Sequence, residues 1–267
     1  MPGENMKSDK VTLPSGVEVA WRETGNGEAL ILLHGLDGWN WEKWFESKLA
    51  EKYRIIAPFL RGFEESRGPM DYTMIDLGDD IAGLIRELDI VPANVGGHSI
   101  GGMVAQEIAI NYPELVKKLV LISTKSHTGE RAREFAMGMA LIAEKGSTAV
   151  LNDPSLRTEL QEILDRTFPD GPPPLDGLGR GLEEPHPEVA AAWKVAAEFT
   201  SRDRLENIKS PTLIVHGTRD MIMPYKLGQW THEALPGSVL ADFVNFGHTL
   251  YRRDECALRV LDFLESS

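Results

Sequence analysis

Gly97-His98-Ser99-Ile100-Gly101 is the first stretch that could do chemistry. It fits G-x-S-x-G, a serine on a sharp turn between a strand and a helix, where the residues two positions away must be small. Gly97 and Gly101 supply that, and Gly102 lets the helix start pack close. A serine hydroxyl becomes nucleophilic only when a base takes its proton, and a histidine base needs a carboxylate to hold one tautomer. Two later apolar runs end beside such groups: Pro211–Val215 runs into His216-Gly217-Thr218-Arg219-Asp220, and Val239–Val244 into Asn245-Phe246-Gly247-His248. The candidate catalytic residues are therefore Ser99, Asp220 and His248. Helix capping is the other role open to Ser99 and Asp220, and a cap or surface position to His248. A third apolar run, Ala29–Leu33, ends in His34-Gly35-Leu36-Asp37-Gly38, where glycines allow close backbone approach. The backbone N–H groups of Leu36 and Ile100 are the candidate donors for an oxyanion.

These residues must be held by strands and helices in alternation. Strands are expected at 17–21, 29–33, 53–57, 95–98, 116–122, 211–215 and 239–244. Helices are expected at 41–49, 74–88, 99–112, 225–234 and 250–264. The alternation predicts an α/β chain, a mostly parallel sheet with helices on both faces. Between 127 and 205 no strand-like run occurs. Helical stretches at 130–144, 155–167 and 187–199 and a Gly/Pro-rich loop at 170–187 read as a helical cap inserted in a core of 1–126 and 206–267. The polar start, Met1 to Lys10, lacks the apolar stretch expected of a signal peptide, and no strand is expected before residue 17.

Composition sets the remaining bounds. The chain has 267 residues, 42% hydrophobic and 26% charged, which argues against disorder. Its 28 basic and 41 acidic side chains leave a net charge of −13, against a nucleic-acid or anionic-membrane partner. The single cysteine, Cys256, allows no internal disulfide and reads as a core side chain. No apolar run is long enough to span a membrane, and a cytoplasmic protein is the expectation. No metal-ligand spacing and no G-x-G-x-x-G occur, so neither a metal nor a cofactor is expected.

Taken together, HGLDG at 34–38, GHSIGG at 97–102, HGTRD at 216–220 and GH at 247–248 occur in the order found in the α/β-hydrolase superfamily. The chain resembles it over about 17–125 and 206–266, and most resembles its capped esterases, enol-lactonases and cofactor-free haloperoxidase relatives. Phe59 and Glu64 depart from the family's D-L-R-G-x-G-x-S pattern, present here as Phe59 to Ser66. The resemblance implies that Ser99 attacks a small ester or lactone carbonyl with His248 as base and Asp220 orienting it. It also gives His34 a bracing role at the oxyanion loop. Relatives that use a carboxylate at the elbow are excluded by Ser99. C–C bond hydrolysis, perhydrolysis and a slow ligand receptor on the same fold stay open, as does the oligomeric state. His98 reads as packing or support beside the nucleophile. Trp39, Phe135 and Met139 are the candidate pocket residues.

Overall fold

The computed structural model describes residues 6–36, 47–168 and 181–266. It divides into two compact units, one of residues 1–69, 73–126 and 201–267, the other of 70–72 and 127–200.

The first unit holds the sheet. Its strands are β1 (Lys7–Thr12), β2 (Glu18–Thr24), β3 (Glu28–Leu33), β4 (Tyr53–Pro58), β5 (Ala93–His98), β6 (Val116–Ile122), β7 (Thr212–Gly217) and β8 (Val239–Phe243). They lie in the order β1-β2-β4-β3-β5-β6-β7-β8. All neighbours from β4 to β8 pair in parallel, and β1–β2 and β2–β4 are antiparallel. The apolar runs of β3, β5, β6 and β7 sit in the middle of this order and are almost wholly buried, as strands covered on both faces must be.

The helices of this unit are α1 (Lys48–Lys52), α2 (Met74–Glu87) and α3 (Ile100–Asn111), followed later in the chain by α8 (Tyr225–Ala234) and α9 (Asp254–Glu265). Leu49 of α1 and Cys256, Val260 and Leu264 of α9 join Leu30, Ile55, Val120 and Val215 of the sheet in one apolar cluster. Cys256 is a free, fully buried thiol, and burial raises its pKa. Thr73 and Asp76 form a reciprocal capping box that starts α2. From the next turn on, Leu77, Ile81, Leu84 and Ile85 supply its buried stripe.

The second unit is helical: α4 (Glu130–Lys145), α5 (Ser147–Asn152), α6 (Pro154–Thr167) and α7 (Pro187–Glu198). Ile142, Val150, Leu160 and Leu164 form its own core. Its two ends meet in a bridge between His127 and Thr200.

Three sequence expectations change. Lys7–Thr12, ahead of the first expected strand, is an edge strand whose residues are nearly all exposed, so no apolar alternation marks it. The last expected helix opens as a 3-10 turn at Leu250–Arg252 before α9 begins at Asp254. Residues 201–205, expected in the cap, group with the sheet unit. Trp39, Asp37 and most of the expected helix at 41–49 lie outside the described residues. Among the described residues no helix is long and apolar enough to cross a membrane.

Candidate active site

Ser99 sits between the end of β5 and the start of α3 with φ 55° and ψ −118°, a conformation L-residues avoid. The surroundings hold it there. Its N–H donates to Ile122 O of β6 at 2.9 Å, and its carbonyl accepts from Thr124 Oγ1 at 2.7 Å. A Cβ on Gly97 would lie 2.2 Å from Gly101 O, and one on Gly101 would lie 2.2 Å from Leu33 O. Neither position tolerates any other residue, which is why the turn requires glycine at both. Ser99 precedes α3 directly, yet its hydroxyl makes no capping hydrogen bond, so the capping alternative fails.

The close approach of Gly101 to the carbonyls of Leu33 and His34 packs the start of α3 against the end of β3. This brings Ile100 and the Leu36 turn to the same edge of the sheet. Among the described residues, neither the Leu36 N–H nor the Ile100 N–H donates a hydrogen bond. His34 bonds Gly35 O through Nδ1 at 2.8 Å, while Nε2 accepts from Leu60 N–H at 3.0 Å. Those two bonds fix the neutral Nδ1–H tautomer and tie the turn after β3 to the one after β4. That second turn is held by Arg61, bidentate to Asp80 at 2.9 Å in both bonds. Glu64, where the family has glycine, takes φ 47°.

Asp220 follows β7 and is 5% exposed. Its Oδ1 accepts from the N–H groups of Ile222 (2.9 Å) and Met223 (2.8 Å), so the turn beyond it orients the carboxylate. Its Oδ2 accepts from His248 Nδ1 at 2.8 Å. Burial works against the charge, but the His248 hydrogen bond and charge, the Met223 amide and His216 outweigh it and lower the Asp220 pKa. With Nδ1–H committed to Asp220, His248 keeps Nε2 as its acceptor. The capping alternative fails here too: Pro224, not Asp220, precedes α8 as its cap residue.

His98, the last residue of β5, bonds the His248 carbonyl through Nε2 at 2.9 Å, and the two rings lie 4.7 Å apart. The structure thus gathers Ser99, Ile100, Asp220 and His248 around the carboxyl ends of β5, β7 and β8, with Leu36 beyond β3.

Other polar groups here carried no signal in the sequence. Gln106 of α3 donates to Gly102 O and Lys125 O, both at 3.0 Å, and accepts from Ser201 Oγ at 2.8 Å. Lys125 is 2% exposed, and burial pulls its pKa down to about 8. Glu107 is paired with Arg204 through two bonds of 2.8 and 2.6 Å. Each links segments far apart in sequence, which spacing alone does not reveal. In the helical unit Phe135 makes edge contacts with Phe168 and Trp193, and Met139 packs on the unit's own core. Among the described residues no group of His, Cys, Asp or Glu could hold a metal.

Residues 28–158 match the family described as alpha/beta hydrolase fold, and residues 185–267 match that described as TAP-like protein. The chain belongs to the α/β-hydrolase family. This α/β-hydrolase is 31% identical over 275 residues to an uncharacterized protein of Mycobacterium tuberculosis, covering 94% of this chain and 78% of that one. It is 28% identical over 216 residues to a 3-oxoadipate enol-lactonase of Acinetobacter baylyi, covering 79% of each. Among solved structures, a thermophilic esterase from Thermogutta terrifontis superposes on the hydrolase with a TM-score of 0.73. The two are 27% identical, over 97% of this chain and 98% of the esterase.

Proposed function

We propose that this α/β-hydrolase cleaves a small carboxylic ester or lactone through Ser99, His248 and Asp220. The observation that carries the reading is the 2.8 Å bond from His248 Nδ1 to a carboxylate whose other oxygen is held by two backbone amides, on the strand ends beside a strained serine turn. In this reading His248 Nε2 takes the Ser99 proton as Oγ attacks the substrate carbonyl. Asp220 keeps the imidazole in the Nδ1–H tautomer and stabilises its cation. The N–H groups of Leu36 and Ile100 receive the oxyanion. His248 then returns the proton to the leaving alcohol, or to the ring oxygen of a lactone. Water, activated by the same Nε2, releases the acid and frees Ser99.

The esterase and enol-lactonase relatives support ester and lactone carbonyls as the substrate class. The test is acid release in a pH-stat from short and long acyl esters, γ- and δ-lactones and an aryl ester, with Ser99→Ala as control. Turnover that vanishes in Ser99→Ala is the expected result. A panel on which no substrate exceeds the Ser99→Ala rate overturns the reading.

A further inference from the structure

Among the described residues, three hydrogen bonds tie the loop that carries His248, 245–249, to the loop that carries Asp220, 218–220. Arg219 N–H donates to Phe246 O at 2.9 Å, and Asn245 N–H to Thr218 Oγ1 at 3.0 Å. Gly217 lies so close that a Cβ would sit 2.4 Å from Phe246 O. The His248–Asp220 bond is a further tie of the same kind. None of these fixes the distance from His248 to Ser99. Among the described residues, one hydrogen bond joins the serine turn, 97–102, to the loop 245–249: the 2.9 Å contact of His98 Nε2 with His248 O.

His98 suits that task. It is the residue directly before Ser99, is 1% exposed, and packs its ring 4.3 Å from that of Tyr251. A carbonyl only accepts, so Nε2 must carry the proton. Burial first, and then the charge of His248, hold the ring well below the ordinary histidine range, so it stays neutral with that one N–H committed.

We propose that His98 is a positioning residue that sets the Ser99–His248 spacing by clamping the His248 main chain to the strand end that carries the serine. This rests on the serine-hydrolase reading. Asp220 fixes the orientation of the His248 ring, and His98 fixes where its backbone stands. Without the clamp the His248–Asp220 pair survives but drifts relative to Oγ. A misplacement of about 1 Å at a reacting pair costs on the order of 10²-fold in rate. Nucleophile activation should suffer while binding does not.

The test compares the full chain with Ser99→Ala, His98→Leu, His98→Met and His98→Gln. Gln places an amide donor where Nε2 stands, whereas Leu and Met keep apolar bulk without a donor. Two rates are read: modification of Ser99 by a fluorophosphonate, split into binding and inactivation constants, and kcat and KM on the best ester of the panel. Thermal melts identify the folded variants. The expected result is wild-type labelling at Ser99, an inactivation constant and kcat about 10²-fold lower in Leu and Met with KM nearly unchanged, and most of the loss restored in Gln. Leu or Met labelling as fast as wild type overturns the clamp, as does Gln no faster than Met. If Leu does not fold, Met against Gln decides. A wild type that the fluorophosphonate does not label at Ser99 overturns the serine-hydrolase reading itself, and the clamp with it.

Discussion

His216 Nε2 stands 3.6 Å from Asp220 Oδ2 but gives its proton to the Met223 carbonyl, 2.7 Å away. That bond closes the turn whose Ile222 and Met223 amides hold Asp220 Oδ1. His216 thus shapes the carboxylate's cradle without competing with His248 for it. His216→Ala leaves a buried carbonyl without its donor and a void where a fully buried ring stood. It should cost about 3 kcal/mol in urea unfolding. A loss under about 1 kcal/mol would show that the turn holds itself.

Acid should weaken the fold before it reaches the carboxylates. Burial is the main cause lowering both His98 and His216. The bonds to His248 O and Met223 O and the charge of Asp220 offset it only in part. The unfolded chain protonates these rings as pH falls through about 6.5, while the native chain holds them neutral to lower pH. The unfolded state gains protons first, so stability is full above that pH and falls below it, by at most about 1.4 kcal/mol per pH unit per ring. Asp220, with its lowered pKa, gives up its share only at more acid pH, below about 3.9. Guanidinium unfolding at pH 7.5 and pH 5.0 measures the drop. A His98→Gln/His216→Gln double variant should show a shallower one, and an equal slope would assign the effect elsewhere.

Asp220→Asn should keep the fold and lose the rate. The amide nitrogen can donate toward His248 Nδ1, which turns the imidazole to the opposite tautomer and puts its proton on Nε2. A fall in kcat of about 10⁴-fold is expected on any ester that the wild type turns over. Retention of more than a tenth of the rate would show that Asp220 does not set the tautomer.

Glu107 and Arg204 test how the chain is fastened after the helical insertion. The Glu107 side chain is 2% exposed and that of Arg204 is 35% exposed. Arg204→Met strands a buried carboxylate and should cost about 3 kcal/mol, whereas Glu107→Leu/Arg204→Met should recover more than half of that. A thermodynamic cycle of the two single variants and the double variant measures the coupling. Additive losses would mean that the pair contributes nothing as a pair.

How much of this was legible beforehand follows from burial. Leu30 to Leu33 and Leu119 to Ile122 announce their strands because both faces are covered, so every position is apolar. Lys7–Thr12 gives no such signal, because a strand on the edge of the sheet exposes its side chains and pairs through its backbone with β2 on one side. Gly96 and Gly97 argue against a strand by propensity, yet β5 forms because both pair with β3 on one side and β6 on the other, and the serine turn leaves no room for a side chain at Gly97. Ser99, Asp220 and His248 stood out as candidates because each lies at or a few residues past a strand signal. Thr124 on the Ser99 carbonyl, and His98 on the carbonyl of His248 150 residues away, could not. Such bonds end on backbone carbonyls, which every residue type carries.

The helical insertion leaves the sheet unit and rejoins it at almost a single point. Ser201 N–H and Arg202 N–H both donate to Ser126 O, at 2.9 and 3.1 Å, and Ser201 Oγ reaches the same carbonyl at 3.3 Å. A segment spliced in at such a seam does not have to span any distance, so its length and composition can drift without pulling β6 and β7 apart. In evolutionary terms the seam is a socket. The insertion can be lengthened, shortened or exchanged there as one cassette, with both of its ends already fastened to the same carbonyl.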